Sequence, residues 1–205
     1  MTKKHNASLF KGLNLIYEKV ALIGIGNIMF HDEGLGAYLV KYIEENYVIP
    51  ECLTIVEGGT LGFTLMTYYQ EYDKIIVVGT GSKEGPVGTI SSESSEEVMN
   101  HSARTRQTAN EVEITMMIEI CSFHKDMGEV QLITMVPDDI IDVCNGLTDS
   151  VLSHMPKLVD ATLEELENSG IRLRKSFCRG VSFETIIDAY ANPKVSDYND
   201  MSKLA

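Results

Sequence analysis

Short apolar runs alternate with stretches of helical periodicity along most of this 205-residue chain. The runs are partly β-branched, which is typical of strands buried in a parallel sheet. The strand candidates are 20–25, 52–56, 74–78 and 129–136, with a short antiparallel strand at 87–90. The helix candidates, where apolar residues recur every three or four positions, are 35–47, 61–69, 110–121 and 148–168. This order predicts an α/β fold, a doubly wound and mostly parallel sheet of about five strands with helices on both faces.

Three segments are expected along the chain. Residues 1–18 form an N-terminal extension, 19–175 the α/β domain and 176–205 a C-terminal tail. Within the tail, the amphipathic stretch 183–190 ends before Pro193, and we expect it to fold back as an added helix; a docking segment is the alternative. The polar stretch 91–107 is expected to be a mobile loop.

Composition excludes several classes of partner. Lysine and arginine number 17 against 30 acidic residues, which gives a net charge of −13. This balance argues against binding to nucleic acid or to an anionic membrane. No apolar run approaches the ~20 residues needed to cross a bilayer, and the N-terminus has no signal-peptide core, so a cytoplasmic protein without membrane insertion is expected. The widely spaced cysteines are expected to be free thiols of a reducing compartment: Cys52, Cys121, Cys144 and Cys178.

The stretch 20–36, VALIGIGNIMFHDEGLG, carries the first candidate chemistry. Gly26 and Asn27 allow a tight turn after the first strand, and Asp32 and Glu33 follow where the chain starts its next helix. Open α/β sheets bind their ligands outside the carboxyl ends of their strands, so the two carboxylates are candidate site residues. Each also has a structural alternative: Asp32 as a cap of the turn, and Glu33 as a solvated acid at a helix start.

A dinucleotide site is a remote alternative for this glycine-rich turn. Its fingerprint needs a third glycine that packs the helix against the strand, and an acid after the second strand for the ribose. Glu57 is placed to serve as that acid. Met29, however, stands where the third glycine belongs, and the residues HDEG separate the turn from the helix. The turn therefore matches this fingerprint poorly.

A resemblance to a known family covers about residues 19–172. GIGNIMFHDEGLG at 24–36 is followed by EGGTLG at 57–62, NEVE at 110–113 and PDDIIDVCNGLT at 137–148. In that order these motifs resemble the hydrogenase maturation proteases. The resemblance implies an α/β endopeptidase that removes a C-terminal extension from the large subunit of a nickel-iron hydrogenase. It also implies a metal held by a glutamate in the first turn, an aspartate after the third strand and a histidine opening a later helix.

Only one of those three ligands is present in this chain. The glutamate matches Glu33, whereas Gly79 stands at the aspartate position and Asn110 at the histidine position. His31 and His101 are the nearest histidines, but neither has the required spacing. A glycine offers only backbone and an amide oxygen is a poor donor for nickel or zinc, so no stably bound metal is expected. Nickel, or a zinc or cadmium surrogate, remains a candidate at Glu33.

The resemblance places the remaining site residues in the loops after the strands. Glu33 and Asp32 are the candidate catalytic residues. The candidate substrate-binding residues are Gly26, Asn27, Gly59, Thr60, Gly79, Thr80, Asn110 and Glu111. Asn110 also has a structural alternative, because with Glu113 it fits the capping box of a helix beginning at Glu111.

Two hypotheses follow, and both name the nickel-iron hydrogenase large-subunit precursor as partner. The first is a relative that kept the fold and the substrate-facing cleft but lost the hydrolytic site, and so binds without cleaving. The second is an active endopeptidase that uses Glu33 with an altered ligand set, or with nickel supplied by the substrate.

Overall fold

A computed structural model describes residues 16–60, 65–101, 109–122, 127–177 and 180–193. Its main sheet contains β1 (Val20–Ile25), β3 (Leu53–Gly59), β4 (Lys74–Thr80), β5 (Ile90–Ser94) and β6 (Glu129–Met135). The strand order is β3-β1-β4-β6-β5, with β5 antiparallel to β6 and every other neighbour parallel. This five-stranded, mostly parallel sheet confirms the predicted fold class. The short strands β2 (Tyr47–Val48) and β7 (Arg174–Lys175) form a separate antiparallel pair that was not predicted.

Helices cover both faces of the sheet, as predicted. They are α1 (Leu35–Asn46), α2 (Met66–Glu71), α3 (Ser95–His101), α4 (Ala109–Ser122), α5 (Asp149–Asn168) and α6 (Phe183–Ala191). One core cluster joins the sheet to α1, α5 and α6, and the other joins it to α2, α3 and α4. Every residue of the two central strands, β1 and β4, is buried, because both faces and both edges are covered. In the described part of the chain, no helix is long and apolar enough to span a bilayer.

Helix α1 lies directly against the backbone of the central strands. A Cβ atom at Gly24 in β1 would stand 2.1 Å from the carbonyl oxygen of Gly36 in α1. A Cβ at Gly36 would stand 2.3 Å from the carbonyl oxygens of both Ile25 and Val78. The two glycines therefore set how closely the helix that follows the first turn approaches the sheet.

Two strands are longer than the sequence pattern predicted. β3 continues through Glu57–Gly59, where a closing turn was expected, and its last residue pairs with Ile25. β4 continues through Gly79 and Thr80, which pair with Thr134 and Met135 of β6. Pairing with the neighbouring strands thus extends β3 and β4 through glycines that the local sequence pattern assigns to turns. Helix α2 spans Met66–Glu71, two residues past the predicted end at 69, and residues 61–64 of the predicted helix lie outside the described chain.

The prediction of a mobile loop at 91–107 is wrong for residues 91–101. Residues 90–94 form β5 and 95–101 form α3. The helix start is fixed by a capping box, in which Ser94 Oγ accepts from the Glu97 N–H at 3.3 Å and the Glu97 carboxylate accepts from the Ser94 N–H at 2.8 Å. Residues 102–108 lie outside the described chain.

The C-terminal segment folds back on the domain, as expected. The ring of Phe183 in α6 stacks on Tyr42 of α1 with a centroid distance of 4.3 Å. The side chain of Asn46 in α1 donates to the Val181 carbonyl and accepts from the Val181 N–H, each at 2.9 Å. Cys52, Cys121 and Cys144 are free thiols, as predicted. Cys178, most of the N-terminal extension and residues 194–205 lie outside the described chain.

We expect Gly24→Ala to lower the free energy of unfolding by about 3 kcal/mol or more, because the new methyl group meets helix backbone that cannot rotate away. The matched control is Gly180→Ala, where an added Cβ has no neighbour within 4 Å. The control should change stability by less than about 0.5 kcal/mol. Urea denaturation of both variants measures the difference, and equal stabilities would contradict the close approach of α1.

Candidate functional site

The turn after β1 folds back tightly over the carboxyl edge of the sheet. Gly26 has φ of +135°, and a Cβ there would stand 1.7 Å from the carbonyl oxygen of Glu33. The Gly26 N–H donates to the Gly59 carbonyl at 3.0 Å, and Asn27 Oδ1 accepts from the Met29 N–H at 3.0 Å. The structure thus brings together Gly26, Asn27 and Gly59, all predicted to bind substrate. Thr60 follows Gly59 and is exposed.

Glu33 lies in a single 3-10 turn, His31–Gly34, between this loop and α1. The turn packs against β4, next in the sheet to β1. The side chain is partly buried, and desolvation raises its pKa above the usual glutamate value. A desolvated carboxylate at the carboxyl edge of a parallel sheet is a typical functional-site feature.

Asp32, the preceding residue, is completely buried. Its carboxylate accepts from the N–H groups of Asp138, Asp139 and Thr148 at 3.0, 2.9 and 2.7 Å. It also accepts from the Thr148 hydroxyl at 3.0 Å. Four donors therefore fix this carboxylate to residues 137–148, which we call the rim loop. Asp32 anchors that loop to the first turn, and a catalytic role for it stays a prediction.

His31 pairs with the rim loop. Its Nδ1 lies 3.3 Å from Asp139 Oδ2, and its backbone, with φ of +45°, donates from N–H to the Cys144 carbonyl at 2.9 Å. The pKa of Asp139 is lowered chiefly because its carboxylate accepts from the N–H groups of Ile141 and Asp142, with His31 a smaller cause. The imidazole thus has a carboxylate partner in the rim loop.

The end of β4 differs from what a metal ligand at position 79 would need. Gly79 and Thr80 are buried, and a Cβ at Gly79 would lie 2.7 Å from Cγ1 and 3.1 Å from Cδ1 of Ile25. The Ile25 side chain therefore fills the space into which a side chain at position 79 would extend. Thr80 Oγ1 is buried and has no hydrogen-bond partner among the described residues.

A carboxylate bridges the loop after β4 to the start of α4. Glu111 is only 4% exposed, and its carboxylate accepts from the Ser82 hydroxyl at 2.6 Å and from the Ser82 N–H at 2.9 Å. We call this pair the Ser82–Glu111 clasp. Sequence reasoning selected Glu111 but missed Ser82, because the partners are 29 positions apart. Helix α4 begins at Ala109, so Asn110 lies inside its first turn and is not its N-cap.

The described side chains do not assemble a ligand set of the family type. No three His, Cys, Asp or Glu residues among them converge in a group that could hold a metal ion. Of the three positions implied by the resemblance, Glu33 carries a carboxylate at the edge and Gly79 has no side chain. The side chain of Asn110 lies outside the described part, although its backbone is placed.

The raised pKa of Glu33 generates a pH-dependent prediction. The pKa of Glu33 is higher in the folded protein than in the unfolded chain. The contribution of Glu33 to the free energy of unfolding is therefore fully present below the unfolded-state pKa and is lost as the pH rises through the folded-state pKa. We therefore expect Glu33→Gln to be more stable than the wild type at neutral pH, by less than about 1 kcal/mol, and equal to it near about pH 3. Urea denaturation at both pH values measures this. A less stable variant at neutral pH would mean that the ionised form is favoured in the fold.

The control for this experiment is Glu119→Gln, which removes an exposed carboxylate from α4. It should change stability by less than about 0.5 kcal/mol at either pH.

Comparison with known proteins agrees with this architecture. A family model described as hydrogenase maturation protease matches residues 37–165. Among curated relatives, the hydrogenase expression/formation protein HoxM of Azotobacter vinelandii is 25% identical over 153 residues, 74% of each chain. The hydrogenase 2 maturation protease of Escherichia coli is 24% identical over 155 residues, 75% of this chain and 93% of the relative.

Solved structures share the fold. The hydrogenase maturating endopeptidase HybD from E. coli superposes with a TM-score of 0.70 at 23% identity, covering 77% of this chain and 97% of that one. The [NiFe] hydrogenase maturation protease HybD from Thermococcus kodakarensis gives 0.60 at 22% identity, covering 72% and 98%. Since the family model spans more than half of the chain, this protein belongs to the hydrogenase maturation protease family.

Proposed function

We propose that this protein binds the large-subunit precursor of a nickel-iron hydrogenase at the carboxyl edge of its sheet without holding a metal of its own, and so binds without cleaving. Family membership supports the choice of partner. The donor set at the edge supports the absence of a resident metal. The site proposed for contact consists of the first turn, the end of β3, the end of β4 and the start of α4.

The observation that carries this proposal is the packing of Ile25 against Gly79. A carboxylate ligand at position 79 would have to start from a Cβ that lies 2.7 Å from Ile25 Cγ1. The position therefore lacks a ligand, and a ligand placed there would require the Ile25 side chain to shift. A catalytic zinc-type site usually has three protein ligands, and loss of even indirect supporting contacts lowers metal affinity about 10- to 100-fold. The residues present do not fit the family's metal.

The Ser82–Glu111 clasp supports the same reading. It joins the loop after β4 to the first turn of α4, near positions 79 and 110, where the family resemblance implies an aspartate and a histidine. Hydrogen bonds to a buried carboxylate at 2.6 and 2.9 Å hold these segments together. These hydrogen bonds hold the carboxyl edge in a fixed arrangement before a partner binds, which lowers the entropic cost of binding.

Glu33 favours a second candidate function. Its partly desolvated carboxylate has a raised pKa, a common property of groups that take part in catalysis. In this candidate the protein is an active endopeptidase in which Glu33 acts together with nickel that the bound precursor brings.

One experiment separates these candidates. The purified protein is incubated with nickel-loaded large-subunit precursor, complex formation is measured by biolayer interferometry, and the precursor is examined by intact mass spectrometry. We expect a complex and no shortened subunit, with a cleaving member of the family and its own precursor as the positive control. Nickel-dependent shortening that disappears in Glu33→Gln would favour the second candidate, and absence of a complex would refute the partner.

The packing of Ile25 beside Gly79 predicts how a metal site can be introduced. We expect Gly79→Asp with Asn110→His to gain little Zn²⁺ affinity, because Ile25 still fills the space beside position 79. Adding Ile25→Ala should raise the affinity about tenfold or more above that double variant, measured by isothermal titration calorimetry. Ile25→Ala alone is the control and should gain nothing. Equal affinities of the double and triple variants would contradict the proposed role of Ile25.

A further inference from the structure

Three large apolar side chains are exposed on two segments that backbone bonds join at the rim of the carboxyl edge. Met29 is 56% exposed, Ile141 80% and Val143 73%; we call them the apolar rim patch. Met29 belongs to the first turn and the other two to the rim loop, and backbone bonds join these segments. The Cys144 N–H donates to the Met29 carbonyl at 3.0 Å, and Phe30 and Cys144 form a parallel bridge. Single exposed apolar residues are ordinary, whereas a cluster at a site's rim indicates an interaction surface.

The rim loop is held rigidly on both sides of the exposed residues 141–145. Before them, the Asp32 carboxylate accepts from two backbone N–H groups, and Asp139 Oδ1 accepts from the Ile141 N–H at 2.8 Å. After them, the Gly146 N–H donates to the buried Tyr38 hydroxyl at 3.2 Å. Ile141 and Val143 are therefore presented in fixed positions. A fixed loop loses little conformational entropy when a partner binds.

The charge of the rim loop indicates what kind of partner fits. The rim loop contains Asp138, Asp139 and Asp142, and no lysine, arginine or histidine. A second copy of this chain would bring an equally acidic loop, and an anionic membrane would also be repelled. A polypeptide with apolar side chains beside lysine or arginine is complementary to both the patch and its charge.

We propose that the apolar rim patch is the docking surface for a segment of the hydrogenase large-subunit precursor that carries apolar side chains next to basic ones. The identity of the partner rests on the proposed function, whereas the chemistry of the segment rests on the patch. Docking here places the precursor beside the turn that holds Glu33, because the patch and Glu33 belong to the same bonded pair of segments. The patch thus fixes which part of the precursor faces the edge.

The test uses the full-length protein with Ile141→Ser and Val143→Ser combined. Its affinity for the precursor should fall about tenfold or more, because a few central, buried side chains carry most of the binding energy of an interface. The matched control is Ile16→Ser with Val48→Ser, which lie before β1 and in β2, where the side chains are 64% and 54% exposed. The control should bind like the wild type. Circular dichroism and urea denaturation check that both double variants are folded.

A second arm tests the charge. Asp138→Asn with Asp142→Asn should weaken binding at low salt and make the affinity less dependent on salt, because the attraction to basic residues is reduced. An unchanged salt dependence would overturn the basic character of the segment.

Each outcome bears on a different claim. Wild-type binding together with equally strong binding of the Ile141, Val143 variant overturns the docking surface and leaves the proposed function standing. Absence of precursor binding by the wild type overturns both. A wild-type dimer in sedimentation velocity that the same variant converts to monomer would show that a second copy occupies the patch, and would also overturn the inference.

Discussion

The buried carboxylate of Asp32 is the interaction on which the edge of this protein depends. A carboxylate removed from water is costly unless hydrogen bonds compensate it, and here three backbone N–H groups and one hydroxyl do so at 2.7 to 3.0 Å. Those donors all belong to the rim loop, so one side chain fixes two segments of the edge. The neighbouring carboxylate, Glu33, is partly desolvated with a raised pKa. Adjacent acids thus take opposite roles, one structural and one a candidate for contact with the partner.

The sheet edge is closed by hydrogen bonds where the family resemblance implies a metal. Ile25 packs beside Gly79, and the Ser82–Glu111 clasp joins the loop after β4 to α4. In the proposed binding function, Gly79 and Asn110 belong to an edge that the chain holds together with its own hydrogen bonds.

Much of the fold could be predicted because its signals are local. Short apolar runs or helical periodicity mark β1, α1 and α5 in the sequence. Both ends of α5 are also marked by local residues: the Thr148 side chain accepts from the Val151 N–H at the start, and Gly170 has φ of +87° just past the end. The ends of β3 and β4 were missed because pairing with neighbouring strands overrides the turn preference of glycine. The site was harder to predict for a similar reason. The partners of Asp32 lie 106 to 116 positions away, so no local pattern could reveal them.

The C-terminal helix α6 contributes to the carboxyl edge although it lies outside the segment that the family model matches. That model ends at residue 165, whereas α6 begins at Phe183. Tyr190 of α6 donates its hydroxyl to Glu57 near the end of β3, and burial together with that carboxylate raises its pKa, so the phenol remains a donor. Its ring meets that of Tyr38 edge to face at 5.5 Å, and the Tyr38 hydroxyl accepts from Gly146 of the rim loop. Two tyrosines thus connect α6 to β3 and to the rim loop. Because the rim loop carries Ile141 and Val143 of the apolar rim patch, a helix that the sequence sets apart as a tail helps to position the surface proposed for docking.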